Sequence, residues 1–187
     1  MARPHLEQAV VRIRRKLVPL VTIAAVAIAA RGAGAQGYPF SQRGVTQQDV
    51  AFTSIEVRYG RPVARGRTLF ADSGLVPYGK VWHPGADSAT RITFSHDVIA
   101  EGRALKAGEY SLWLIPRGTG PWTMIFSTAA HVFHTPYPGD GRDALRVDVQ
   151  PERLSHMETM AIYFPVVNRD EAVLRIHWGE WAAPARI

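Results

Sequence analysis

Apolar side chains in this chain recur at alternate positions, in short runs that glycine and proline interrupt; after the N-terminal region no stretch free of both residues is longer than Ala86–Glu101. A period of two sends successive side chains to opposite faces of an extended backbone. An amphipathic helix needs a period near 3.6 held over ~10 residues or more. Ile55, Val57 and Tyr59 alternate with Glu56 and Arg58, and Thr90, Ile92 and Phe94 with Arg91 and Thr93. Further on, Tyr110, Leu112 and Leu114 oppose Ser111 and Trp113, and Trp122, Met124 and Phe126 oppose Thr123. Leu145, Val147 and Val149, then Met160, Ile162 and Phe164, then Leu174, Ile176 and Trp178 complete the series. Turn chemistry separates the runs at Glu101-Gly102, Ala107-Gly108, Pro116 to Pro121 and Pro138-Gly139-Asp140-Gly141. The expected fold is all-β, a single antiparallel β-sandwich or partly closed barrel of about seven to nine strands with long loops. Helix is expected only as a turn near 151–154. Trp113 faces away from Tyr110 and Leu112, so that face is expected to be covered by a second layer or a long loop.

The N-terminus has a different character. Arg12, Arg14, Arg15 and Lys16 precede the uncharged apolar run Leu17–Ala30, and Ala33-Gly34-Ala35 supplies a small-x-small cleavage pattern. As a helix that run reaches only ~21 Å, short of a ~30 Å hydrocarbon core. Residues 1–35 therefore read as a helical signal peptide, 36–48 as a flexible lead-in and 49–187 as one domain. The mature protein is expected in the periplasm or outside the cell, with no membrane attachment after cleavage. Arg14-Arg15 bears a faint likeness to a twin-arginine signal, which leaves the export route open.

The formal charge of +6 invites a nucleic-acid reading. Of the 22 basic and 16 acidic side chains, however, six and one fall in the first 35 residues, leaving 16 against 15. A nearly neutral domain has no general counterion-release drive toward a polyanion, so no nucleic-acid partner is expected. The chain has no cysteine. Disulfides, thiol chemistry and thiolate metal sites are thereby excluded, and stability must come from an apolar core.

Two segments are too long to be plain turns, 60–87 and 128–142. The first contains Tyr59-Gly60-Arg61-Pro62, Gly66-Arg67, Gly74-Leu75-Val76-Pro77-Tyr78-Gly79-Lys80-Val81-Trp82, and Gly85-Ala86-Asp87 with Ala89-Thr90. Together with Leu105-Lys106-Ala107-Gly108-Glu109-Tyr110-Ser111-Leu112, Trp122-Thr123, Ile125-Phe126 and Asp143-Ala144-Leu145-Arg146-Val147, these motifs resemble the domain of unknown function 2911 family. The resemblance runs from about Thr53 to the C-terminus. It implies an exported bacterial β-rich domain and implies no reaction. The chain departs from the family pattern at His83, where arginine usually follows the loop tryptophan, and at Asp87, where asparagine is common.

Arg61, Arg67, Tyr78, Trp82, His83 and Asp87 are the candidate ligand-binding residues. An aromatic platform beside guanidinium and imidazole donors suits a glycan or another small polar ligand. The same residues serve equally to lock a long loop onto the sheet, with tyrosine and tryptophan burying their rings and arginine capping backbone carbonyls. His83 with Asp87 is the pair a hydrolase would use for proton transfer. His131 and His134, three apart, are weak candidates for a metal site. No nucleophile motif accompanies either pair, and no cofactor is expected. The favoured reading is a non-catalytic envelope or binding module; the alternatives are a hydrolase using one of those pairs and a structural or protein-interaction domain. The sequence is silent on oligomeric state.

Overall fold

The computed structural model describes residues 40–187, and there the alternation becomes ten strands. They are β1 (Gln42–Val50), β2 (Thr53–Arg61), β3 (Arg91–Phe94), β4 (Val98–Ala100), β5 (Arg103–Leu105), β6 (Gly108–Ile115), β7 (Trp122–Ser127), β8 (Asp143–Val149), β9 (Glu152–Val167) and β10 (Ala172–Arg186). Six of them form one antiparallel sheet in the order β1-β2-β3-β6-β7-β8. β9 and β10 form a long hairpin, and β4 and β5 a short one. The fold is all-β, with no closed barrel among the described residues. The signal peptide expected at 1–35 lies outside the described residues.

The core sits between the six-stranded sheet and the β9–β10 hairpin. Ile55, Val57, Ile92, Phe94, Leu112, Leu114, Met124, Phe126 and Val147 come from the sheet; Met160, Ile162, Leu174, Ile176 and Trp178 come from the hairpin. These are the residues that the period of two assigned to one face. Full burial of each such side chain contributes roughly 1.5–3 kcal/mol. Backbone contacts also tie the layers. The Tyr59 hydroxyl accepts from the Ile162 N–H (3.0 Å) and donates to the Ile162 carbonyl (3.3 Å), while Thr46 Oγ1 donates to that carbonyl at 2.7 Å.

The opposite face of the sheet is not bare. Trp113, Ile125 and Ala89 form a second buried cluster, against which Ile115, Val132 and Tyr137 pack. Val132 and Tyr137 belong to the 128–142 segment, so a long loop does cover the outer face above β6 and β7. Trp113 is 1 % exposed, and its indole N–H donates to Ser111 Oγ at 2.9 Å. Tyr137 anchors the loop end by donating to Asp143 Oδ1 at 2.5 Å. Burial first, and then that hydrogen bond, push its hydroxyl up to about 12.

Two expectations change. The segment read as a flexible lead-in is strand from Gln42 onward: β1 pairs with β2 in continuous register from Gln42↔Arg61 to Val50↔Thr53. The turn expected near 151–154 is instead the start of β9, and the only helical turn among the described residues is the 3-10 turn Asp140–Arg142.

Candidate binding site on the outer face of the sheet

The 60–87 loop distributes its candidate residues over separate places. Arg61 reaches along the sheet, where its Nε donates to the Met160 carbonyl (3.1 Å). Its stem lies on Gly44, where a Cβ would come within 2.8 Å of Arg61 Cδ. Arg67 donates to the carbonyls of Ala64 (2.8 Å) and Val63 (2.6 Å), closing its own turn. Trp82 stacks on Trp178 with ring centres 6.0 Å apart and planes 12° apart, and Phe70 meets it edge-on. Its backbone bonds Leu114 in both directions. Arg61 and Trp82 are therefore braces.

Arg67 and Tyr78 do share a shallow recess of about 400 Å³ with Leu69, Phe70, Arg153 and Trp181. Its charged groups are occupied: Arg67 by the two carbonyls, and Arg153 by Glu180 and the face of Trp181.

His83 is buried and is not paired with Asp87. Its Nε2 accepts from the Thr90 N–H at 2.6 Å, which requires the neutral imidazole with its proton on Nδ1. Burial, then the nearby His134, then the Arg43 charge lower its pKa to about 3. A base with its lone pair engaged and so low a pKa is poorly placed to take a proton at neutral pH. Asp87, at φ +63, offers its backbone carbonyl to the His134 N–H (3.0 Å) and to His134 Nδ1 (2.8 Å).

His131 and His134 do not converge. His134 lies against the His83 ring at 6.1 Å between centres, while His131 points to Glu109, with Nε2 2.6 Å from Oε2. Among the described residues no group of three or more histidine, aspartate or glutamate side chains could hold a metal ion.

A further recess lies elsewhere, on the outer face of the sheet. The ends of the two long loops are joined there by a short antiparallel ladder: Ala89 N–H to the Val132 carbonyl at 2.9 Å and His134 N–H to the Asp87 carbonyl at 3.0 Å, around the bridge Ser88↔Phe133. This rim and the outer faces of β1, β2 and β3 enclose about 550 Å³, within the size range of small-ligand sites. Its lining mixes polar side chains, Arg43, Arg58, Arg91, Ser88 and His131, with the apolar Val45, Val132 and Phe133.

Register explains the charge. Val45 faces Arg58, and Arg58 faces Arg91. One row along, Glu56 faces Thr93, which faces Glu109. Arg58 is forked onto Glu56 (2.6 and 2.9 Å), and hydrogen bonding to that carboxylate raises its pKa. Arg91 Nη1 serves both Glu109 (3.2 Å) and His131 Nδ1 (2.9 Å). Arg43 donates only to Ser88 Oγ (2.9 Å) and has no carboxylate partner among the described residues.

The sequence candidates touch this recess only through His131 and through the residues after Asp87. Arg43, Arg58, Arg91, Ser88 and Phe133 were not among them. Arg58 and Arg91 were legible as the polar side of alternating runs, but nothing in the order of residues said that they face each other.

The structure thus defines an antiparallel β domain that carries a guanidinium-lined recess on its outer sheet face. Residues 41–187 match the family model described as Protein of unknown function (DUF2911), and the chain belongs to that family, as its motifs foretold. No curated protein and no solved structure matches the chain.

Proposed function

We propose that this protein is an exported, non-catalytic module that binds a small polar ligand in the outer-face recess. The observation that carries the reading is the recess itself: about 550 Å³, roofed by a hydrogen-bonded loop pair and lined by three guanidiniums together with the apolar Val45, Val132 and Phe133. Such a site recognises a ligand by a few convergent donors and an apolar surface. Binding is favoured over hydrolysis because His83 is engaged by the Thr90 N–H and Asp87 faces His134 through its backbone. The leader at residues 1–35 supports placing the module in the periplasm or outside the cell.

The test is calorimetric titration of the purified protein with a panel of neutral oligosaccharides, carboxylates and phosphates, run beside turnover assays on ester, glycoside and phosphate substrates. Saturable binding that Val45→Arg abolishes by filling the recess is the expected result. Turnover that survives Val45→Arg, or binding that ignores it, would overturn the proposal.

A further inference from the structure

The recess has more positive charge than its neighbours neutralise. Three guanidiniums line it, and the two nearby carboxylates, Glu56 and Glu109, stand one register row away behind Arg58 and Arg91. Like charges directly opposite on neighbouring strands destabilise a sheet. Here two arginines occupy such positions in the lining of the recess. Arg43 is freer still, since a guanidinium carries five N–H donors and the single bond to Ser88 Oγ uses one of them. Its charge reaches the buried His83, where it adds to burial and to His134 in holding that ring neutral.

The lining also has apolar members. Val45 is 55 % exposed on β1 beside Arg58, and Phe133 is 57 % exposed on the roof. An isolated inorganic oxyanion would satisfy the arginines and leave these two side chains bare.

Building on the binding reading above, we propose that the ligand is a small organic acid whose oxyanion, carboxylate or phosphate, sits between Arg43, Arg58 and Arg91 and whose apolar portion lies between Val45 and Phe133. Guanidiniums bind both oxyanions in a forked geometry, so the shared chemistry is the anion. Arg43 is the principal donor, because Arg58 is already forked onto Glu56 and Arg91 divides one nitrogen between Glu109 and His131.

The experiment titrates the protein with hexanoate, hexyl phosphate, inorganic phosphate and the neutral hexanamide. Hexanoate or hexyl phosphate is expected to bind saturably, the tighter of the two naming the oxyanion. Inorganic phosphate is expected to compete weakly and hexanamide not at all. Arg43→Gln should weaken the tighter probe by about tenfold or more, the scale of one charge-assisted hydrogen bond. Arg103→Gln, a substitution outside the recess, should leave it unchanged. Phe133→Ala should weaken the hexyl probes and spare inorganic phosphate. Equal binding of hexanamide, or indifference to Arg43→Gln in a variant whose melting temperature is unaltered, would overturn the anion assignment. A neutral saccharide whose binding is lost in Val45→Arg but kept in Arg43→Gln would sink this inference while leaving the binding function standing. If none of the probes binds, the acid is refuted, and the panel titration alone then judges the wider reading.

Discussion

Arg58 on β2 and Arg91 on β3 stand directly opposite each other, while the carboxylates that partner them, Glu56 and Glu109, flank Thr93 in the adjacent register row. Without a bound anion the two guanidiniums repel across the strand pair. A double-mutant cycle with Arg58→Ala and Arg91→Ala, read by urea denaturation at low salt, should therefore expose the repulsion. The double variant is expected to lose more stability than the sum of the two single losses, by about 0.2–1 kcal/mol. The difference should shrink in ~1 M salt, where screening reaches to about 3 Å. A coupling of zero at low salt would mean that Glu56 and Glu109 already neutralise the row.

His83 makes a prediction about acid. Its folded-state pKa of about 3 lies below the ordinary histidine value of 6.5, so the unfolded chain binds a proton that the folded chain refuses between those limits. Stability from this group is complete above pH 6.5 and drains away as pH falls toward 3, at up to about 1.4 kcal/mol per pH unit. Protonation also breaks the bond from the Thr90 N–H, because Nε2 can no longer accept. His83→Gln should cost stability at pH 7.5, and the gap to the parent protein should narrow by about 1–2 kcal/mol at pH 5. Denaturant titrations of both proteins at the two pH values measure it. A gap independent of pH would show that the imidazole is not held neutral.

Tyr59 and Ile162 join the two layers by a reciprocal pair of bonds, one accepted and one donated by the same hydroxyl. Tyr59→Phe keeps the buried ring and removes both, leaving the Ile162 N–H without that acceptor. A loss of about 1–2 kcal/mol is expected from an unsatisfied buried donor. Faster exchange of the Ile162 amide, with neighbouring β9 amides unchanged, would localise the effect. An unaltered amide would mean that another acceptor takes the place of the hydroxyl.

The sequence made the fold legible wherever one face of a strand is buried. The alternation of Ile55, Val57 and Tyr59, or of Leu112 and Leu114, follows directly from a sheet with a core on one side. β1 was not legible for the same reason: Val50 is its only buried hydrophobic residue, and Gln47, Gln48 and Asp49 carry no apolar rhythm. Its strand character comes from continuous pairing with β2 and from the Thr46 bond to Ile162, both long-range facts. The site was hidden by the same kind of distance. Arg58 and Arg91 are separated by the whole of the 62–90 segment, and only strand register makes them neighbours. In the other direction, the aromatic and basic content of that loop drew attention to Trp82 and Arg61, whose chemistry suits a ligand platform and a structural brace equally well. Composition cannot distinguish a tryptophan facing solvent from one stacked on Trp178.

That distinction yields the last prediction. Trp82 packs on Trp178 and Phe70 and is pinned by two backbone bonds to Leu114, so its ring serves the core and not the recess. Trp82→Ala removes a large side chain from between two aromatic neighbours, and surrounding strands fixed in register can relax into the space only in part. The expected cost is about 3 kcal/mol, at the lower end for truncation of a large buried aromatic because Trp82 is only partly buried. In conditions where the variant remains folded, its affinity for the ligand proposed for the recess should match that of the parent protein, since the lining residues Arg43, Arg58 and Arg91 are held by other strands. Denaturation and titration on the same preparation separate the two effects. Lost affinity with unchanged stability would return Trp82 to the binding site and move the site itself to the 60–87 loop.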